Sequence, residues 1–129
     1  EQTQRLISGF TNEGDYFAYS IDISGDTAVV GAYLDDPNGT ADGGGAFVYE
    51  RINGNWQLQQ RLEASDGAVA DYFGRAVAID GETIVVGSYL DDVGAGDQGS
   101  AYVYSRSGTV WHEQAKLTAS DGAASDWFG

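Results

Sequence analysis

The 129-residue sequence contains no cysteine, no methionine, a single proline (Pro37) and a single histidine (His112). Without cysteine there is no disulfide framework and no thiol nucleophile. With no methionine even at position 1, the chain is expected to start at a processed or excised boundary. Any Ser/His/Asp arrangement would have to use His112, which falls on the polar face of a predicted strand beside Trp111. A surface role is the expectation there, and no enzymatic activity is expected. No apolar run reaches the length of a bilayer-spanning helix, so helical membrane insertion is excluded. Cations are also scarce: six Lys and Arg face 20 Asp and Glu, a net charge of −14. This argues against nucleic acid as a partner, because phosphates must be neutralised by Lys and Arg, and disfavours anionic membrane surfaces for the same reason. The acidic excess suits metal cations, cationic partners or plain solubility.

Helical periodicity is missing as well, and an internal repeat stands in its place. Asp15-Tyr16-Phe17-Ala18, Asp71-Tyr72-Phe73-Gly74 and Asp126-Trp127-Phe128-Gly129 recur about 55 residues apart. Thr27–Asp36 matches Thr83–Asp92, and Ala46–Tyr49 matches Ala101–Tyr104. Gln60-Arg61-Leu62 matches Gln4-Arg5-Leu6 and, more loosely, Ala115-Lys116-Leu117. A fixed period of this kind means one supersecondary unit stacked repeatedly.

Each unit reads as four strands. In the second, Phe73–Ile79 alternates large residues with Gly74, Ala76 and Ala78. Asp80-Gly81-Glu82 turns the chain into Thr83–Leu90, which is apolar on both faces and should be buried on both. After a Gly- and Asp-rich loop come Ala101–Tyr104 and then Val110–Leu117. The last strand alternates Trp111, Glu113, Ala115 and Leu117 against His112, Gln114 and Lys116, as an exposed edge would. The expected fold is therefore all-β, built of four-stranded antiparallel propeller blades with no helix beyond one turn. Residues 1–8 are assigned to the outer strand of a preceding blade, 9–64 to a first complete blade, 65–119 to a second, and 120–129 to the start of a third. Phe73, Tyr89, Tyr102 and Trp111 are expected between blades. The outer blade faces are expected to be lined by Phe17, Tyr33, Tyr102 and Trp111 and to be covered by further blades of the same polypeptide or by self-association.

These motifs resemble the FG-GAP repeat, with Phe73-Gly74 and Phe128-Gly129 as its "FG" and Phe17-Ala18 as a departure. Gly31-Ala32-Tyr33 and Gly87-Ser88-Tyr89 stand at the "GAP" element, without its proline. The resemblance implies a seven-bladed propeller like that of integrin α-subunits and of many secreted bacterial proteins. It thereby implies an extracellular or cell-surface location and a binding or adhesion role, with a protein or glycan ligand. A scaffold or accessory propeller of a secreted enzyme and a carbohydrate-binding propeller are the alternatives. The integrin-type calcium loop is not matched: Ser24-Gly25-Asp26 and Asp80-Gly81-Glu82 are too short for the six to eight oxygen ligands of calcium. The chain resembles the bacterial subtype without that loop, and no cofactor is expected from these turns.

In an antiparallel blade, strands two and four end on the same face. The loops that leave them carry Glu13, Asp15, Asp35, Asp36, Asp42, Asp66, Asp71, Asp91, Asp92, Asp97, Asp121 and Asp126, twelve of the 20 acids. Loops on a rigid scaffold are where binding sits. The paired acids Asp35-Asp36 and Asp91-Asp92 are the candidate metal ligands, calcium being the cation considered. Asp42, Asp66, Asp71, Asp97, Asp121 and Asp126 are the candidate ligand-face residues. Asp15, Asp71 and Asp126 recur in every copy, which favours a capping role, since Asp in such loops binds backbone N–H groups. Trp56 and Trp111 recur in strand four, which favours packing over sugar stacking.

Overall fold

A computed structural model describes residues 4–94 and 96–129. Eight strands form two sheets. The first holds β1 (Ser20–Ser24), β2 (Thr27–Ala32), β3 (Gly45–Ile52) and β4 (Asn55–Leu62); the second holds β5 (Phe73–Asp80), β6 (Thr83–Ser88), β7 (Ser100–Ser107) and β8 (Val110–Leu117). Strand order within each sheet is sequential and every pairing is antiparallel. Among the described residues the helical structure is a single 3₁₀ turn, Pro37–Gly39. The chain is thus two propeller blades. Residues 4–8 form no regular strand, and the rest of the outer strand expected over residues 1–8 lies outside the described residues. Gln4 nevertheless brackets the Trp56 backbone, donating to its carbonyl (2.7 Å) and accepting its N–H (2.7 Å). Gln60 treats Trp111 in the same way at 2.8 and 2.7 Å. Residues 4–8 therefore sit where a fourth strand lies against the next blade.

The blades stack as a wedge. β1 and β2 pack on β5, while β4 and β8 barely touch. The core between the blades joins Val29, Val48 and Leu62 of the first to Phe73, Ile84, Val86, Tyr102, Tyr104 and Trp111 of the second. Tyr102 and Trp111 are therefore buried between blades and line no outer face. Phe17 is only half-buried, on the outer side of the first blade. Tyr33 and Tyr89 are half-buried elsewhere, at the loop ends of β2 and β6. The apolar residues that do remain exposed on the outer sides include Ile21, Ile23 and Leu117.

Simple alternation also fails in strand four. β-Bulges at Gln59 and Gln114 shift the register between Val48 and Tyr49 and between Val103 and Tyr104. An inserted residue reverses face parity beyond it. Trp56, Leu58 and Arg61 consequently face the preceding blade, while Leu62 faces the following one. Arg61 and Lys116 are thereby directed inward, to the same side as Trp56 and Trp111.

The Phe-Gly motif is explained at the junction. Phe73 is fully buried, and Gly74 has φ +90° with the carbonyl oxygen of Gly45 2.2 Å from where a Cβ would lie. Gly31 receives Gly74 in turn, since a Cβ there would lie 2.0 Å from the Gly74 carbonyl oxygen. Gly87 meets Gly129 in the same way, at 1.8 Å. Backbone touches backbone at these points, and no side chain fits.

Candidate functional site

Two-residue turns close β1–β2 and β5–β6, and β3–β4 and β7–β8 close similarly. All the longer connections lie at the opposite ends of the strands and form one face. Backbone pairing fixes them. Ala70, Tyr72 and Phe73 donate N–H bonds to the carbonyls of Ala41, Asp42 and Gly43 at 3.0, 3.2 and 3.1 Å. Ser125, Trp127 and Phe128 repeat this on Gly96, Asp97 and Gln98 at 3.0, 3.4 and 2.9 Å. The loop preceding each first strand is therefore clamped onto the strand-two loop of the blade before it.

The acidic residues divide into three groups. Asp15, Asp71 and Asp126 each accept the backbone N–H three residues upstream, from Asn12, Ala68 and Ala123 at 2.5, 2.6 and 2.7 Å. Burial pushes the Asp71 carboxyl above its ordinary value, although the Ala68 N–H opposes this. These residues close their own turns.

The second group is ion-paired. Asp35 is buried and bound by Arg61. Burial raises its pKa, partly countered by that guanidinium. Asp91 is buried in the equivalent place, where Lys116 reaches it at 2.6 Å, the Ser100 hydroxyl donates to it and the Tyr102 hydroxyl oxygen lies 3.2 Å away. Asp66 joins this cluster from the loop between β4 and β5, 2.7 Å from Lys116 and accepting the Tyr102 hydroxyl at 2.8 Å. Burial opposes the Asp66 charge, but the bonds from Lys116 and Tyr102 outweigh it and hold the carboxyl below its ordinary value. Burial likewise works against the Lys116 ammonium, and Asp66, Asp91 and Tyr102 reverse that and raise its pKa. Asp36 and Asp92 turn the other way, each accepting a loop N–H, from Asp42 and Asp97, at 2.7 Å. The two carboxylates of each Asp-Asp pair thus diverge. Among the described residues no three acidic, Cys or His side chains converge as metal ligands would.

The third group faces solvent. Glu13, Asp97 and Asp121 are exposed and Asp42 is half-exposed.

A feature missed in the sequence lies beside these loops. Tyr16, Tyr19, Tyr33, Tyr72, Tyr89 and Trp127 form a continuous row, with neighbouring ring centroids 4.8 to 6.5 Å apart. Most of these contacts are edge-on or tilted, as ring quadrupoles prefer. The signal was present: the second residue of each Asp-x-Phe-Gly copy is aromatic, and so is the residue after Gly31-Ala32 and after Gly87-Ser88. Only the stacking of blades shows that the two sets meet. His112 is exposed on β8 and belongs to no polar cluster, and Trp111 is buried with its indole N–H on Gln59 at 3.0 Å.

A search of curated proteins gave no significant match. The family described as FG-GAP repeat matches residues 1–49, 56–104 and 111–129. The second match begins in β4 and ends within β7, so the sequence repeat spans a junction between blades. The Gln bracket, the Phe-Gly contact and the loop clamp each join one match to the next. With nearly the whole chain matched and both sheets built as blades, the chain belongs to the FG-GAP repeat family.

Proposed function

We propose that the chain is part of a non-enzymatic, extracellular binding or adhesion propeller whose ligand face is the loop face. One observation carries this reading: the two faces are unlike. Every long connection, the aromatic row and the solvent-facing carboxylates Glu13, Asp42, Asp97 and Asp121 share one face, while the other has tight turns. Loops held by a rigid sheet can vary without disturbing the blades, which is why binding collects on them. A partner with a basic surface complements such a face, and electrostatics of this kind act mainly on association rate and its salt dependence. Further blades of the same polypeptide complete the array. The absence of an enzymatic role is part of the proposal and rests on the engagement of the buried acids in caps and ion pairs.

The test is binding of the chain to an array of immobilised extracellular proteins, wild type against two variant sets. Glu13→Gln with Asp97→Asn and Asp121→Asn should slow association and flatten its salt dependence. Asp80→Asn with Glu82→Gln, on the turn face, should change neither. Equal loss in both sets would show that net charge, and not this face, governs binding.

A further inference from the structure

Six Lys and Arg serve a chain of net charge −14, and four of them, Arg51, Arg61, Arg106 and Lys116, are ion-paired. Arg75 has no carboxylate within ion-pair distance among the described residues. It lies among rings instead. Its guanidinium carbon is 4.1 Å from the Tyr19 ring centroid, 5.4 Å from Tyr33 and 5.7 Å from Tyr89. The position is set by backbone. The β5–β6 register skips between Phe73 and Ala76, so Gly74 and Arg75 bulge from the ladder at the loop end of the strand. Arg75 is half-buried, and Tyr19 is 46% exposed beside it.

Arg75 stands at a position where the two copies differ. Its counterpart in the preceding copy, four residues after the motif Asp, is Tyr19. Tyr33 and Tyr89 are repeat counterparts and can be ascribed to blade construction, whereas Tyr19 and Arg75 are different residues at one repeat position. A guanidinium held by aromatic rings instead of a carboxylate can offer its N–H edges to a ligand, and those edges match a carboxylate bidentately. The neighbouring rings offer apolar faces and hydroxyls, suited to the C–H faces and hydroxyls of a sugar. The surrounding loops are acidic, which disfavours a polyanion and tolerates a single negative charge.

We propose that Arg75, with Tyr19, Tyr33 and Tyr89, forms a recognition site for a saccharide bearing a single carboxylate, with the guanidinium gripping the carboxylate and the rings holding the sugar. The site is independent of whether the solvent-facing acids bind a basic partner. An acidic peptide would offer the carboxylate without the sugar faces.

The experiment is an NMR titration of the whole chain with glucuronate, glucose, acetate and the tripeptide Gly-Asp-Gly. Glucuronate should shift the Arg75 side-chain and Tyr19 signals saturably, with glucose, acetate and the peptide at least about tenfold weaker, as expected when a charge-assisted pair or the ring contacts are missing. Arg75→Tyr restores the residue of the other repeat and should keep the dispersed spectrum while losing at least about tenfold in glucuronate affinity. Arg75→Lys keeps the charge but not the flat fork, and should also weaken binding. Undiminished binding by Arg75→Tyr, equal binding by Arg75→Lys, or a preference for acetate or for the peptide would each overturn the proposal. None of these results bears on the loop-acid variants, so the two readings fail separately.

Discussion

The outer side of the first blade and the inner side of the second carry the same sequence positions in different surroundings. Ile23 is 57% exposed, while its repeat counterpart Ile79 is 8% exposed. Leu62, at the junction, is 1% exposed, and its counterpart Leu117 on the far side is 44% exposed. The strand chemistry is shared, so burial here is a property of the neighbouring blade. Tyrosine hydroxyls show it most directly. Tyr104 donates to the Glu63 carbonyl of the first blade at 2.6 Å. Tyr49, its counterpart, is buried with no partner for its hydroxyl, and burial pushes its phenol up to about 12. The junctions also differ in chemistry: Phe10 stacks on Phe47 at 6.4 Å where Asp66 pairs with Tyr102 and Lys116 in the second. The architecture fixes the position of such a contact and leaves its polarity free.

Truncating the motif phenylalanine should widen this contrast most. Phe73→Ala removes a fully buried ring between blades and should cost about 3–5 kcal/mol, whereas Phe17→Ala, at the half-buried counterpart, should cost well under half as much in urea unfolding. The tyrosine pair gives a smaller and more selective effect. Tyr104→Phe leaves the Glu63 carbonyl unpaired and should cost about 1–2 kcal/mol, while Tyr49→Phe, which discards an orphaned hydroxyl, should be neutral or stabilising.

The polar junction should also give an acid limb to the stability curve. The folded pKa of Asp66 lies below its reference value of 3.8. Its contribution is therefore fully present above that value and is lost as pH falls through the lowered folded pKa. Asp71 has a raised folded pKa, so protonating it favours the folded state and its slope has the opposite sign, at higher pH. Stability measured against pH should lose its most acidic limb in Asp66→Asn and keep it in a Phe10→Leu control. The smallest effect on the fold is expected at the exposed outer side. Ile21→Ser with Ile23→Ser should change intrinsic stability by only about 0.5 kcal/mol per site. The same pair should reduce self-association of the chain in sedimentation velocity, because a large exposed apolar patch is an association surface. A concentration-independent wild-type monomer would show that two blades suffice alone.

Much of this was legible in the residues. The turns at Gly25 and Gly81 and the bounds of β8 follow from local pattern, because a two-residue turn between alternating runs leaves few choices of pairing. The face parity of β4 and β8 was not legible. An unpaired Gln59 or Gln114 looks like any other strand residue until the partner strand's register is known. The destinations of Asp35 and Asp91 were hidden for the same reason, since their partners Arg61 and Lys116 reach them only because of those bulges.

The sequence by itself determined the repeat, the antiparallel blades and the glycines at Gly31, Gly74 and Gly87, because backbone periodicity and steric exclusion are local. Only the tertiary structure decided which of two equivalent residues is buried, which tyrosine finds a carbonyl, and that Tyr19, Tyr33 and Tyr89 surround Arg75. Those outcomes depend on atoms about one repeat away in sequence, brought into contact by stacking one blade on the next.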